Sequence, residues 1–192
     1  QLFSNTLGLG SNLGIKGSSK KFFGGIRFGI KSNADFLQGG GDFVPNSRFN
    51  SLSFKADAGY TGKKAVSKIF YDYSKFKLGL TEDEAVEEVT SRSRKNEVWY
   101  QQFNNHLISV QNKIFMNRYK LDLNAAVQSV ELVHYTALEE TEIDMRLSTV
   151  SYEAKLHLPS SENSEYILGF QGLNQLNRNI AGADEILLPD AN

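Results

Sequence analysis

Residues 119–128, YKLDLNAAVQ, alternate between apolar and polar side chains with a period of two. The odd positions, from Tyr119 to Val127, are aromatic or aliphatic, and the even positions are charged or polar except for Ala126. Successive side chains of a β-strand point to opposite faces of a sheet, so this stretch predicts a strand with one apolar and one polar face. Whether the apolar face meets lipid or a protein core is therefore the main question about this protein.

The same alternation recurs along the chain and predicts an all-β protein of eight long strands. Short turns at 17–19, 61–63, 116–118 and 159–164 indicate hairpins, and longer links follow at 32–48, 80–97, 136–142 and from Arg178 onwards. Alternate connections of an antiparallel up-and-down meander lie at opposite ends of the sheet. We therefore expect a short-turn end and a long-loop end. Thr81 and Glu84 fit a capping box, which predicts one short helix near 82–90.

Composition excludes several classes of function. The 192 residues contain 21 basic and 22 acidic side chains, so no net field attracts nucleic acid or anionic lipid. The absence of cysteine excludes disulfides and thiolate sites. The three histidines fall on separate predicted strands. We expect no enzyme activity, no catalytic residues, no cofactor and no metal site.

Strand length favours a barrel wall over a sandwich. The predicted strands run well beyond the about 5–6 residues usual in globular proteins, and a transmembrane strand needs about 9–11 residues. A wet lumen with cross-strand ion pairs suits the charges of both signs on the polar face, although the solvated face of a soluble sheet suits them equally. The lumen-facing candidates are Lys16, Arg27, Lys55, Asp57, Lys68, Asp72, Lys120, Asp122, Glu153 and Lys155. The lipid-facing candidates are Leu52, Phe54, Tyr119, Leu121, Leu123, Val127, Tyr152 and Leu156.

Tyrosines add a further expectation. Six of them lie near strand ends or on the apolar face, where the interfacial girdles of a membrane barrel would place them: Tyr60, Tyr71, Tyr73, Tyr119, Tyr152 and Tyr166.

Several stretches resemble the barrel portion of TonB-dependent outer-membrane receptors, particularly those common in Bacteroidetes. They are "ADFLQGGGDFVPNSRFN" (34–50), "YTGKK", "FYDYSKFKLGLTEDE", "EVWYQQFNNHLISVQNKIF", "RYKLDLNAAVQ" and "EYILGFQGLNQ". The resemblance implies one segment, 1–192, of a plugged barrel in the bacterial outer membrane. It also implies import of a scarce nutrient (an iron chelate, cobalamin or a glycan) with energy from the TonB complex.

The implied partners are outer-membrane lipid, the small nutrient ligand, the plug domain of the same receptor and, through the N-terminal part, TonB. Neither a plug domain nor a TonB box is visible, and we expect both to precede Gln1. Links 32–48, 80–97 and 136–142 are the expected places for ligand contacts.

A soluble alternative stays open. An eight-stranded ligand-binding barrel or an adhesion sandwich would have a similar number of strands, with Leu121, Leu123 and Val127 buried inside. If the chain is instead an excised barrel segment, its open edges and apolar face invite association in water. We then expect it to curl shut, pair its edges with copies of itself, or cover its apolar face in an oligomer.

Overall fold

The chain forms a single antiparallel sheet. The structure, a computed structural model, describes residues 1–136, 140–161 and 164–181. Its elements are β1 (Leu2–Phe3), β2 (Gly8–Ser18), β3 (Phe22–Asn33), β4 (Phe49–Thr61), β5 (Ala65–Gly79), α1 (Asp83–Glu88), β6 (Tyr100–Met116), β7 (Tyr119–Tyr135), β8 (Thr141–Ser161) and β9 (Ser164–Ala181). The strands pair in sequence order from β1 to β9. The predicted all-β meander with one short helix is confirmed. Within the described residues the sheet is open, since β9 does not pair with β1 or β2.

Four boundaries differ from the prediction. The turn predicted at 159–164 is shorter, since β8 runs to Ser161 and β9 begins at Ser164. The two-residue β1, which pairs with the start of β2, is an additional strand. Thr141 and Glu142 belong to β8 and not to a loop, and Arg178 lies inside β9. The alternation fades in these segments because polar side chains occupy both faces, yet the backbone ladder continues, pairing Arg146 with Arg178. Backbone pairing therefore extends beyond the apolar pattern that revealed the strands.

The N-cap of the helix lies one residue later than predicted. The N-cap is Glu82, whose side chain makes no capping hydrogen bond, so the capping box predicted at Thr81 is wrong. Ala85 is fully buried within this turn. Packing of one side of a very short helix, and not a side-chain cap, therefore holds it in place.

The sheet exposes its apolar face more than its polar one. On the apolar face, Leu13 and Val127 are 68% and 52% exposed. On the opposite face the side chains of Asp72 and Asp122 are only 14% and 16% exposed. A sheet that buried its apolar face in a core of its own would show the reverse order.

The most buried side chains lie at the long-loop end. Asn33, Asp35 and Asn46 are the largest fully buried side chains. The Asn46 amide donates to the carbonyl oxygens of Leu80 and Trp99 at 2.7 and 2.8 Å. Links 34–48 and 80–99 are therefore packed together, and they form a polar core above the sheet.

Candidate functional site

Cross-strand register places the two predicted sets of residues on opposite faces. Residues directly opposite one another in neighbouring strands share a face. Arg27, Lys55 and Asp72 form one such row, and Phe28, Phe54 and Tyr73 form the next row, on the other face. Followed across the sheet, all ten lumen-facing candidates lie on the polar face and all eight lipid-facing candidates on the apolar face.

The apolar face carries a belt of nearly constant width, which we call the apolar band. In β2 to β8 it covers residues 9–17, 22–30, 52–60, 65–73, 108–116, 119–127 and 150–158, about nine residues in each strand. A transmembrane strand needs about 9–11 residues. The polar members of the band in these strands are Ser11, Ser67 and Asn112, and the last two are directly paired. The band is thus continuous and long enough for lipid.

Exposure within the predicted lipid-facing set is uneven. Tyr119, Leu123, Val127 and Tyr152 are exposed, whereas the remaining four are partly covered by their neighbours: Leu52, Phe54, Leu121 and Leu156. No described element lies over the band as a second layer, because all nine strands belong to one sheet.

Aromatic side chains lie at both borders of the apolar band. All six predicted girdle tyrosines are on this face. Tyr60 pairs with Phe22 at the short-turn border, with ring centroids 5.3 Å apart. At the long-loop border the Tyr73 and His106 rings are 4.8 Å apart. Rings with an apolar body and a polar tip suit a boundary between two solvents.

Ion pairs and hydrogen bonds link neighbouring side chains on the polar face. Lys55 lies 2.5 Å from Asp72, and the His157 ring lies 3.0 Å from the Asp122 carboxylate. Lys120 lies 3.9 Å from that same carboxylate.

A second cluster on this face centres on Glu153. The Asn124 amide donates to Glu153 at 2.9 Å, and Lys155 pairs with the same carboxylate. Of the other candidates, Lys16, Arg27 and Lys68 are exposed on this face, and Asp57 is half-buried. The structure brings six of the ten predicted polar residues into two clusters and one pair.

Phe23 breaks the polar pattern for a local reason. It lies directly opposite Gly59, and a Cβ atom on Gly59 would fall 2.1 Å from the Phe23 ring. The ring thus covers the backbone of a residue that has no side chain of its own. This contact explains an aromatic residue on the polar face, and only the register reveals it.

Sequence reasoning missed a polar row on the apolar face, just beyond the band. Lys75, Asn104, Glu131, Arg146 and Arg178 are consecutive cross-strand partners. The sequence feature that could have revealed this row is at Ser129 and Glu131, where the odd positions of β7 change from apolar to polar. We call these five residues the border row.

Of the three links in which ligand contacts are predicted, the structure describes two completely and the third only in part. Links 32–48 and 80–97 are held together through Asp35. Its carboxylate pairs with Arg48 at 2.8 Å and accepts the Ser93 backbone N–H at 3.0 Å. In the third link, 136–142, residues 137–139 lie outside the described residues. Thus two of the three loops are packed together as one unit.

Glu131 should make stability depend on pH in the acid range. Hydrogen bonds from Arg146 at 2.6 Å and Asn104 at 2.8 Å lower the pKa of the Glu131 carboxyl below its ordinary value of 4.5. A lowered pKa in the folded state contributes stability above the unfolded value and loses it as the pH falls through the folded value. We expect the wild type to exceed Glu131→Gln in stability by about 0.5–1 kcal/mol near neutral pH.

The measurement is the difference in unfolding free energy between the two proteins from neutral pH down to about pH 3. The difference should vanish in acid. Burial raises the pKa of Asp144 and the Glu131 carboxylate raises it further, so Glu131→Gln also removes this repulsion, and that part of the difference disappears in acid as well. A difference that stays constant over this range would show that Glu131 does not act through its charge.

Within the described residues no group of three or more His, Asp or Glu side chains is placed to hold a metal ion. No helix in the described part of the chain is long and apolar enough to cross a membrane.

The fold and its surface define a class: an all-β protein built on one antiparallel meander with an exposed apolar band and an ion-paired polar face. No protein-family model matches the chain, and no curated protein or solved structure matches it either. A particular family is therefore a matter of proposal.

Proposed function

We propose that this chain is a wall segment of a bacterial outer-membrane receptor of the TonB-dependent kind, which imports a scarce nutrient with energy from the TonB complex. The observation that carries the membrane part is the apolar band, exposed and about nine residues long in strand after strand. Because a spanning strand must match the hydrocarbon thickness, a constant band across seven strands is a property that lipid demands and water does not.

The polar face supports the same proposal. Some of its charges pair across strands, as Lys55 does with Asp72 and His157 with Asp122. The interior of a large outer-membrane barrel is polar, and its strands alternate apolar outward and polar inward. The long loops on one end and short turns on the other fit the extracellular and periplasmic ends of such a barrel.

The soluble alternative requires Leu121, Leu123 and Val127 to be buried inside. Leu123 and Val127 are instead exposed, at 36% and 52%. The transport part rests on the resemblance of the loops and strands. It requires that the parent gene encode a plug domain and a signal peptide upstream of Gln1, and a gene encoding neither would contradict it.

Two adjacent alanines allow a direct test of the membrane part. Ala125 lies on the apolar face and Ala126 on the polar face, both within the length of β7 that the band covers. The chain has no cysteine, so Ala125→Cys and Ala126→Cys each create one labelling site at nearly the same depth. The full chain, labelled with a small fluorophore, is reconstituted in lipid vesicles.

We expect lipids brominated on their acyl chains to quench the label at position 125 strongly and the label at position 126 weakly. Aqueous iodide should give the reverse order. The two variants are matched controls for each other because they differ by one residue in sequence and by face in space. Equal quenching by brominated lipid at both positions, or quenching at neither, would contradict a lipid-facing band.

A further inference from the structure

The border row lies at one level across five neighbouring strands. Each member is the direct cross-strand partner of the next, in the order Lys75, Asn104, Glu131, Arg146 and Arg178. The row shares a face with the apolar band and follows it within a few residues, at the long-loop border. On β7, for example, Val127 ends the band and Glu131 belongs to the row.

Positive charge exceeds negative charge in this row. It contains three cations and one carboxylate, and Arg146 neutralises that carboxylate at 2.6 Å. Arg178 lies directly opposite Arg146, and like charges in such a position repel each other. Lys75 adds a further positive charge on the other side of Asn104. Asp144, two residues from Arg146, lies on the same face and offsets part of this charge, which leaves one net positive charge among the six residues. The row is therefore complementary to an anion.

The row also borders a recess with hydrogen-bonding walls. The recess has a volume of about 480 Å³ and is lined by Tyr73, Lys75, Asn104, His106, Ser129, Glu131 and Arg146. The Tyr71 hydroxyl and the His106 ring lie 2.9 Å apart beside it. Cationic, amide and hydroxyl groups can all donate to phosphate oxygens, and guanidinium groups bind such oxygens well.

We propose that the border row binds the phosphate of an anionic lipid headgroup in the leaflet on the long-loop side. A lipid whose acyl chains lie against the apolar band has its phosphate at the level of this row, which is why lipid and not soluble phosphate is the ligand. The inference rests on the proposed function, because the band must lie in lipid. A basic side chain near an anionic membrane surface adds about 1 kcal/mol of binding, equivalent to about fivefold.

The test compares two double variants that remove the same charge from opposite faces. Lys75→Gln with Arg178→Gln alters the border row, and Lys16→Gln with Arg27→Gln alters exposed positions on the polar face. The full chain is reconstituted in phosphatidylcholine vesicles that contain spin-labelled phosphatidic acid or spin-labelled phosphatidylcholine. The fraction of immobilised spin label gives the relative association constant of each lipid, and circular dichroism confirms equal strand content.

We expect the wild type to prefer phosphatidic acid, the border-row variant, which lacks two basic side chains, to lose about 25-fold of that preference, and the polar-face variant to keep it. Equal losses in both variants would show an effect of net charge alone, and no loss in the border-row variant would also overturn the inference. Displacement of the labelled lipid by inorganic phosphate at equal concentration would contradict a lipid ligand.

Quenching of the label at Ala125→Cys by brominated lipid distinguishes failure of this inference from failure of the proposed function. If brominated lipid quenches that label while the border-row variant keeps its lipid preference, only the headgroup site fails. If brominated lipid does not quench the label, the membrane assignment itself fails, and the headgroup site fails with it.

Discussion

Replacing Asp35 with Asn is expected to destabilise the packed loops by about 3–5 kcal/mol, the usual cost of removing one partner from a buried ion pair. Asp35 is fully buried. Its carboxylate pairs with the Arg48 guanidinium, accepts the Arg48 backbone N–H, and accepts the Ser93 N–H from a link 58 residues away. The substitution keeps the shape but leaves the positive charge of Arg48 buried without its counter-charge.

Trypsin gives a local readout of this loss. Arg92 and Arg94 hold the second link in place by donating to the carbonyl oxygens of Asp35 and Ser32. In Asp35→Asn, cleavage after these arginines should become much faster than in the wild type. Asp42→Asn is the matched control, since it makes the same chemical change at an exposed position of the same link. Equal cleavage rates in Asp35→Asn and the control would show that the ion pair does not hold the loops together.

Replacing Leu123 with Arg is expected to reduce stability in lipid by about 2–4 kcal/mol, the cost of a basic side chain at the bilayer midplane of a barrel strand. Leu123 lies at the centre of the apolar band on β7, between the band limits at Tyr119 and Val127. The next residue, Asn124, points to the polar face and donates to Glu153 at 2.9 Å. Asn124→Arg places the same cation one residue away, within reach of a carboxylate, and should cost less than about 1 kcal/mol.

The measurement is reversible unfolding of the full chain in urea in the presence of lipid vesicles. Because both variants introduce the same residue, the difference between their unfolding free energies reports the effect of the face on which the arginine lies. In a soluble sheet whose apolar face is a protein core, the large cost at Leu123 would persist without lipid. A cost at Leu123 that is independent of vesicles, or equal costs at both positions, would therefore contradict the membrane assignment.

The sequence predicted the faces well because alternation is a local property. Tyr119 and Lys120 point to opposite sides for the same reason in any strand, whatever its neighbours. The ten polar and eight apolar candidates accordingly fall on opposite faces. The sequence failed where the pattern weakens: it began β8 too late and ended β9 too early, and it assigned the helix cap to Thr81 when the N-cap is Glu82.

Contacts between distant residues were not predictable from one sequence. The pairing of Asp35 with Arg48 and Ser93 depends on how two links fold over one another, and neither link has a periodic pattern. The ring of Phe23 over Gly59 and the border row depend on register, which a single strand does not specify. In the border row, Lys75 and Arg178 are about a hundred positions apart in sequence.

The amino-acid sequence by itself determined that the chain is an antiparallel meander of two-faced strands, because side-chain direction in a strand follows from backbone geometry alone. Only the tertiary structure decided which residues meet. It aligned the apolar segments of seven strands into one band, gathered Lys75, Glu131, Arg146 and Arg178 at its border, and buried Asp35 between two loops. Those results depend on strand register and loop packing, which are set by free energies shared among residues far apart in the chain.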